Sequence, residues 1–140
     1  MKRFHDWPEK LNAFLASQAR APFKWGKRDC ALTAFSALAT MTGTDLGKPF
    51  RGKYTCKDEA DQVIAAFSGG TLEPAVDKLF SAAGAKPVPV LRAQRGDAVL
   101  ADTELGPSLG VVGQDGVYFA APRGFLVLPL RMCRRAWRIG

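Results

Sequence analysis

Gly84 divides the chain into two textures, and that division restricts what the chain can fold into. Before it, apolar residues recur at helical spacing. Asp6-Trp7-Pro8-Glu9 reads as a helix start: an aspartate can cap, and a proline in the first turn lacks only an N–H that would have no partner. Trp7, Leu11, Phe14 and Leu15 share a face, and this helix is predicted to end near Arg20, ahead of Pro22. Asp29 is the natural N-cap of a second helix, from Cys30 to about Thr42, which Gly43 closes in a left-handed conformation. Thr55, with Asp58 three positions on, suits the start of a third helix that buries Val63, Ile64 and Phe67 and stops at Gly69-Gly70. A fourth runs from about Leu72 to Ala83, with Leu72, Val76, Leu79 and Phe80 inward.

After Gly84, glycines and prolines punctuate short apolar runs. Residues 98–101, 109–112, 117–120, 125–128 and 136–139 read as strands, and Gln114-Asp115-Gly116 signals a tight turn between two of them. Helices first and antiparallel strands second is an α+β pattern. The expectation is one domain over residues 1–140, with N-terminal helices (about 1–84) packed on a small C-terminal antiparallel sheet or barrel (about 96–140). A chain of this length buries roughly 68–70% of its unfolded surface on folding, so it needs no covalent staple.

The net charge of +7 favours an acidic partner. Basic residues fall in four separate places, around Lys24–Arg28, Lys48–Lys57, Arg92–Arg95 and Arg131–Arg138. None of these runs interleaves stacking aromatics as a single-strand binder would, so nucleic acid is not the expected partner. Cys30, Cys56 and Cys133 are odd in number and widely spaced, which fits neither a disulfide framework nor a zinc motif. No metal and no cofactor is expected. The first residues do not read as a signal peptide, and no apolar run is long enough to span a membrane.

Cys30 carries the most chemistry. It follows a cap at the first turn of a helix, where unpaired N–H groups and the helix dipole favour an anion, and Lys27 and Arg28 precede it. Both effects lower a thiol's pKa, and the thiolate is the nucleophile. The alternative is a small buried residue that only packs. Trp25, Tyr54 and Trp137 either line a groove or belong to the core. Asp97 and Asp102 could act as acids, although Gly96-Asp97 reads more simply as a turn. Cys56 and Cys133 read as packing or surface residues. Arg95-Gly96-Asp97 also matches an integrin-binding tripeptide, taken here as chance.

The segment Pro22-Phe23-Lys24-Trp25-Gly26-Lys27-Arg28-Asp29-Cys30 resembles the motif that opens the catalytic helix of NlpC-type cell-wall peptidases. These are small papain-like enzymes that cleave peptidoglycan stem peptides. Arg95-Gly96-Asp97-Ala98-Val99-Leu100 is similar to the start of their first barrel strand, and Ser108-Leu109-Gly110-Val111-Val112 to the strand that carries their histidine. A phage-encoded branch of that fold is closer still. This chain shares with it Thr42-Gly43-Thr44-Asp45, Arg51-Gly52-Lys53-Tyr54, Gly69-Gly70, Arg95-Gly96-Asp97 and Arg135-Ala136-Trp137-Arg138. The resemblance spans nearly the whole chain. It implies a tail-tip or tail-assembly protein of a phage or gene transfer agent, present in the virion and in the host cytoplasm during assembly. Its partners would be other tail-tip proteins of the hub or baseplate, with peptidoglycan a further candidate. Cys30 is then the nucleophile position, and Trp25, Asp29 and Tyr54 are candidate binding residues.

One departure is decisive for chemistry. Ser108 stands where the resembled peptidases have their catalytic histidine, and Ala120 stands near the next polar position. The only histidine, His5, precedes the first helix. A positioned acid–base typically contributes about 10²–10⁴-fold, and cleaving an amide requires a proton for the leaving amine. Three functions follow: an inactive NlpC-like adaptor in a tail tip, a working cysteine peptidase or amidase acting on peptidoglycan during DNA entry, and a basic nucleic-acid-binding module. The first is the leading expectation.

Overall fold

Helical periodicity persists to Ala82 and strand alternation takes over at once. The computed structural model describes residues 1–140. Its helices are α1 Trp7–Ser17, α2 Cys30–Thr42, α3 Lys57–Ser68 and α4 Leu72–Ala82. Its strands are β1 Lys86–Val88, β2 Ala98–Thr103, β3 Gly106–Val112, β4 Val117–Ala120, β5 Phe125–Leu128 and β6 Arg135–Arg138. They form one six-stranded antiparallel sheet in the order β1-β6-β2-β3-β4-β5. The fold is therefore α+β, as the two textures predict. No helix is long and apolar enough to cross a membrane.

The sheet is buried on both faces, and strand alternation assigns its residues. Ala98, Leu100, Leu109, Val111 and Trp137 face the helices and join the main core with Leu11, Phe35, Leu38 and Phe80. Val99, Ala101, Val117, Phe119 and Ala136 point the other way into a second, smaller core. Single-turn helices at Val90–Arg92 and Leu130–Met132 meet across that second core and help to close it.

α2 is the central element. Ten of its thirteen residues are buried, and it packs on α1, β3 and β4. Its start and end follow the sequence reading. Asp29 accepts from Leu32 N at 2.9 Å, and Gly43 adopts φ 78°. Phe80 links it to the sheet, with ring centroids 6.1 Å from Phe35 and 5.3 Å from Trp137.

Several boundaries differ from expectation for identifiable reasons. α1 stops at Ser17, short of Arg20, because the chain turns at Gln18, whose side-chain and backbone oxygens both accept from Arg28. The Asp6 side chain makes no cap bond and lies 3.8 Å from Lys10. Cys56, and not Thr55, is the N-cap of α3. The side chain reaching back is Glu59, not Asp58, accepting from Thr55 N and Oγ1 at 2.8 and 2.9 Å. α4 ends at Ala82. β1 went unforeseen because it is three residues long and contains Pro87, which an edge strand tolerates.

Candidate functional site

The Trp25-Gly26 and Asp29-Cys30 pairs are held together by one buried carboxylate. Asp29 is 1% exposed. Besides capping α2, it accepts from Gly26 N at 3.0 Å and from the Tyr54 hydroxyl at 2.7 Å. Gly26 has φ 81°, and a Cβ there would collide with the Tyr54 carbonyl oxygen, so only glycine lets these segments meet. Gly52 N donates to Gly26 O at 2.8 Å and completes the clasp. Burial, followed by the Asp29 charge, pushes the Tyr54 phenol far up, so it stays a donor.

This clasp sets one wall of a cleft of about 570 Å³. Trp25, Asp29, Cys30 and Tyr54, all singled out in sequence, line it together. Ser108 does not line it. It is 2% exposed on β3, against the Cys30 thiol. The opposite wall comes from α3, the start of α4 and the β2–β3 turn: Ile64 and Leu72 with Lys57, Asp61, Glu104 and Leu105. Sequence reading missed these residues. Each reads locally as an ordinary helix or turn position, and only the packing of α3 and the hairpin brings them opposite Cys30.

The Cys30 thiol departs from expectation. It is 9% exposed, and its pKa is raised, not lowered. Desolvation is the largest cause, and the neighbouring Asp29 charge adds to it. The Leu109 and Ala31 N–H groups and the Ser108 hydroxyl oppose this without overcoming it. Arg28 gives no help because its guanidinium turns away, to Gln18, Ala121 O and Gly124 O. Ser108 Oγ donates to Gly106 O at 3.1 Å and sits 2.9 Å from Thr103 Oγ1. A serine so engaged neither takes the thiol proton nor supplies one to a leaving group.

No other candidate fills that role. His5 is exposed and follows Phe4, whose N–H bonds Met41 O at the far end of α2. Met41 lies eleven residue steps along the helix from Cys30, about 17 Å. Ala120 is buried on β4 and brings no polar group. Asp97 is fully buried and bonded to Arg3 and Arg138, so it is a structural anchor and not an acid for catalysis. Asp102 pairs with Arg134 on the surface. Trp137 belongs to the core, not to this cleft. Cys56 is exposed and Cys133 partly buried.

The arrangement can bind. Its lining mixes apolar side chains with the charges of Lys57, Asp61 and Glu104. No curated protein and no solved structure matches the chain. Residues 2–139 match the family model of DUF6950, a domain of unknown function, and the chain belongs to that family.

Proposed function

We propose that this protein is a catalytically inactive papain-like domain of the NlpC type that acts as an adaptor in a phage or gene-transfer-agent tail tip. In this reading the Cys30 cleft holds a segment of another tail-tip protein. The observation that carries it is the pairing of Cys30 with Ser108. A cysteine occupies the nucleophile position at a helix start, but its neighbour on the strand has no acid–base capacity and burial keeps the thiol protonated. The motif set supports the same reading from another side. Its charged members serve folding: Asp45 pairs with Arg51, Asp29 with Tyr54, and Asp97 with Arg138. Such a scaffold can outlast the loss of chemistry.

Two experiments test this. Particles purified from a host expressing the encoding phage should contain the chain in the tail fraction; a chain found free in lysate and absent from particles overturns the adaptor role. Purified protein should leave peptidoglycan peptides intact, and iodoacetamide at neutral pH should label Cys56 faster than Cys30. Peptide turnover abolished by Cys30→Ala would replace the adaptor with a working peptidase.

A further inference from the structure

Folding pairs part of the positive charge with carboxylates and leaves the rest without one. Arg3, Arg51, Arg134, Arg135 and Arg138 each meet a carboxylate. Arg20, Lys24, Lys27, Arg28 and Arg123 meet none, and the chain draws their segments together. Phe23 N donates to Pro122 O at 3.0 Å, and Gly124 N to Ala21 O at 3.0 Å. Arg28 is the one arginine that is buried, at 9% exposure. Its Nε donates to Gln18 Oε1 at 2.8 Å, and its Nη2 to Gly124 O at 2.8 Å and Gln18 O at 3.1 Å. These acceptors are neutral, so a desolvated cation remains without a counter-charge. Buried charges are ordinarily paired.

Beside it, between α1 and α2, lies a pocket of about 250 Å³ lined by Phe14, Gln18, Lys27, Arg28, Thr33 and Ser36. It shares no residue with the Cys30 cleft. At 3.6 residues per turn, Thr33 and Ser36 leave α2 about 160° and 140° round from Ala31, which lines the Cys30 cleft. No carboxylate lines it. Gln18 gives its amide oxygen to Arg28, which leaves its amide N–H groups to donate. Thr33 is 5% exposed, yet its Oγ1 has no hydrogen-bond partner in the protein. A buried hydroxyl in that condition points to a group from outside.

We propose that this pocket binds a phosphate-class dianion, as free phosphate or as a monoester. Two cations match its two charges, and the Gln18, Thr33 and Ser36 donors suit an ion with several terminal oxygens. A carboxylate, with one charge and two oxygens, would leave much of this donor set unmet. The site stands apart from the proposed adaptor cleft, so either can fail without the other.

The test is a titration of the full-length ¹⁵N-labelled protein with inorganic phosphate, with sodium chloride at matched ionic strength as reference. Saturable amide shifts should gather at Gln18 and across Lys27–Ser36. Dimethyl phosphate, a monoanionic diester, should bind at least about tenfold more weakly. Lys27→Gln and Thr33→Val should each weaken phosphate by roughly tenfold, the usual effect of losing one charge-assisted bond. Neither side chain bonds within the protein, so both variants should keep the native melting temperature. Shifts reproduced by chloride alone, equal affinity for the diester, or affinity untouched by both substitutions would overturn the proposal.

Discussion

Asp29 does three jobs with two oxygens, and the cost of losing it follows from that. Replacing it by alanine removes an N-cap worth about 0.5–2 kcal/mol. It also strands the buried Gly26 N–H and Tyr54 hydroxyl, each costing about 1–3 kcal/mol when left unpaired. Urea unfolding of Asp29→Ala should show a loss of at least about 2.5 kcal/mol. Tyr54→Phe should lose less, and the double variant should lose less than the two single losses together, because both remove one bond. Cys30 and Tyr54 also make stability depend on alkaline pH. Both pKa values are raised in the folded state, from ordinary values of 9.0 and 10.0. Their protonated forms therefore stabilise the fold in full below pH 9, and this contribution is lost as pH rises through the folded-state values. Chemical denaturation repeated above pH 9 should show that fall, and Cys30→Ala combined with Tyr54→Phe should flatten it.

At the scale of elements, α4 is fastened to β6 by charge as well as by packing. Glu73 bonds Arg134 and Arg135, while Asp77 accepts from Arg135 at 2.6 Å and from Trp137 Nε1 at 3.2 Å. The hydrogen bond from Arg134 is the largest effect and, with a smaller one from Arg135, holds the Glu73 carboxyl below its ordinary 4.5 against desolvation. Its contribution is present above that value and disappears as pH falls through the lower, folded-state pKa. Hydrogen exchange should accordingly show α4 amides losing protection before α2 amides below pH 4.5, and Arg135→Ala should bring the same loosening at neutral pH. These elements differ in how well the sequence announced them. α2, β4 and β5 were legible because Asp29 and Gly43 bound α2, and each strand has a glycine just before it and a proline soon after it. The C-terminal end of α1 and the start of α3 were not, because the first is set by Arg28, beyond the helix, and the second by Glu59 in place of the nearer Asp58. The Cys30 wall of the cleft was legible because it is one contiguous motif. The facing wall was not, since Asp61, Leu72 and Glu104 meet only through tertiary packing.

Across the whole molecule, Asp97 joins parts of the chain that are distant in sequence. Its carboxylate is fully buried. It accepts from Arg3 at 3.0 Å, Arg138 at 2.9 Å, Ile139 N at 3.1 Å and Gln94 N at 2.8 Å. The Arg-Gly-Asp and Arg-Ala-Trp-Arg motifs, noted separately in sequence, are thus two halves of one junction that also takes in the N-terminal segment. Asp45 offers a direct comparison, since it too is a motif aspartate paired with a motif arginine, at 3.0 Å. The difference is solvent: Asp45 and Arg51 side chains are 25% and 36% exposed, where water and salt screen the pair. Neutralising Asp45 by Asp45→Asn should cost no more than about 1 kcal/mol. Asp97→Asn leaves Arg3 and Arg138 without their acid beside a buried amide, and breaking a buried pair costs about 3–5 kcal/mol. Thermal and urea denaturation of the two variants side by side should separate them by several-fold in free energy. Equal losses would mean that the junction at Asp97 is no more than a surface pairing, and that packing of Met1, Trp137 and Ile139 in the main core holds the ends of the chain to the sheet.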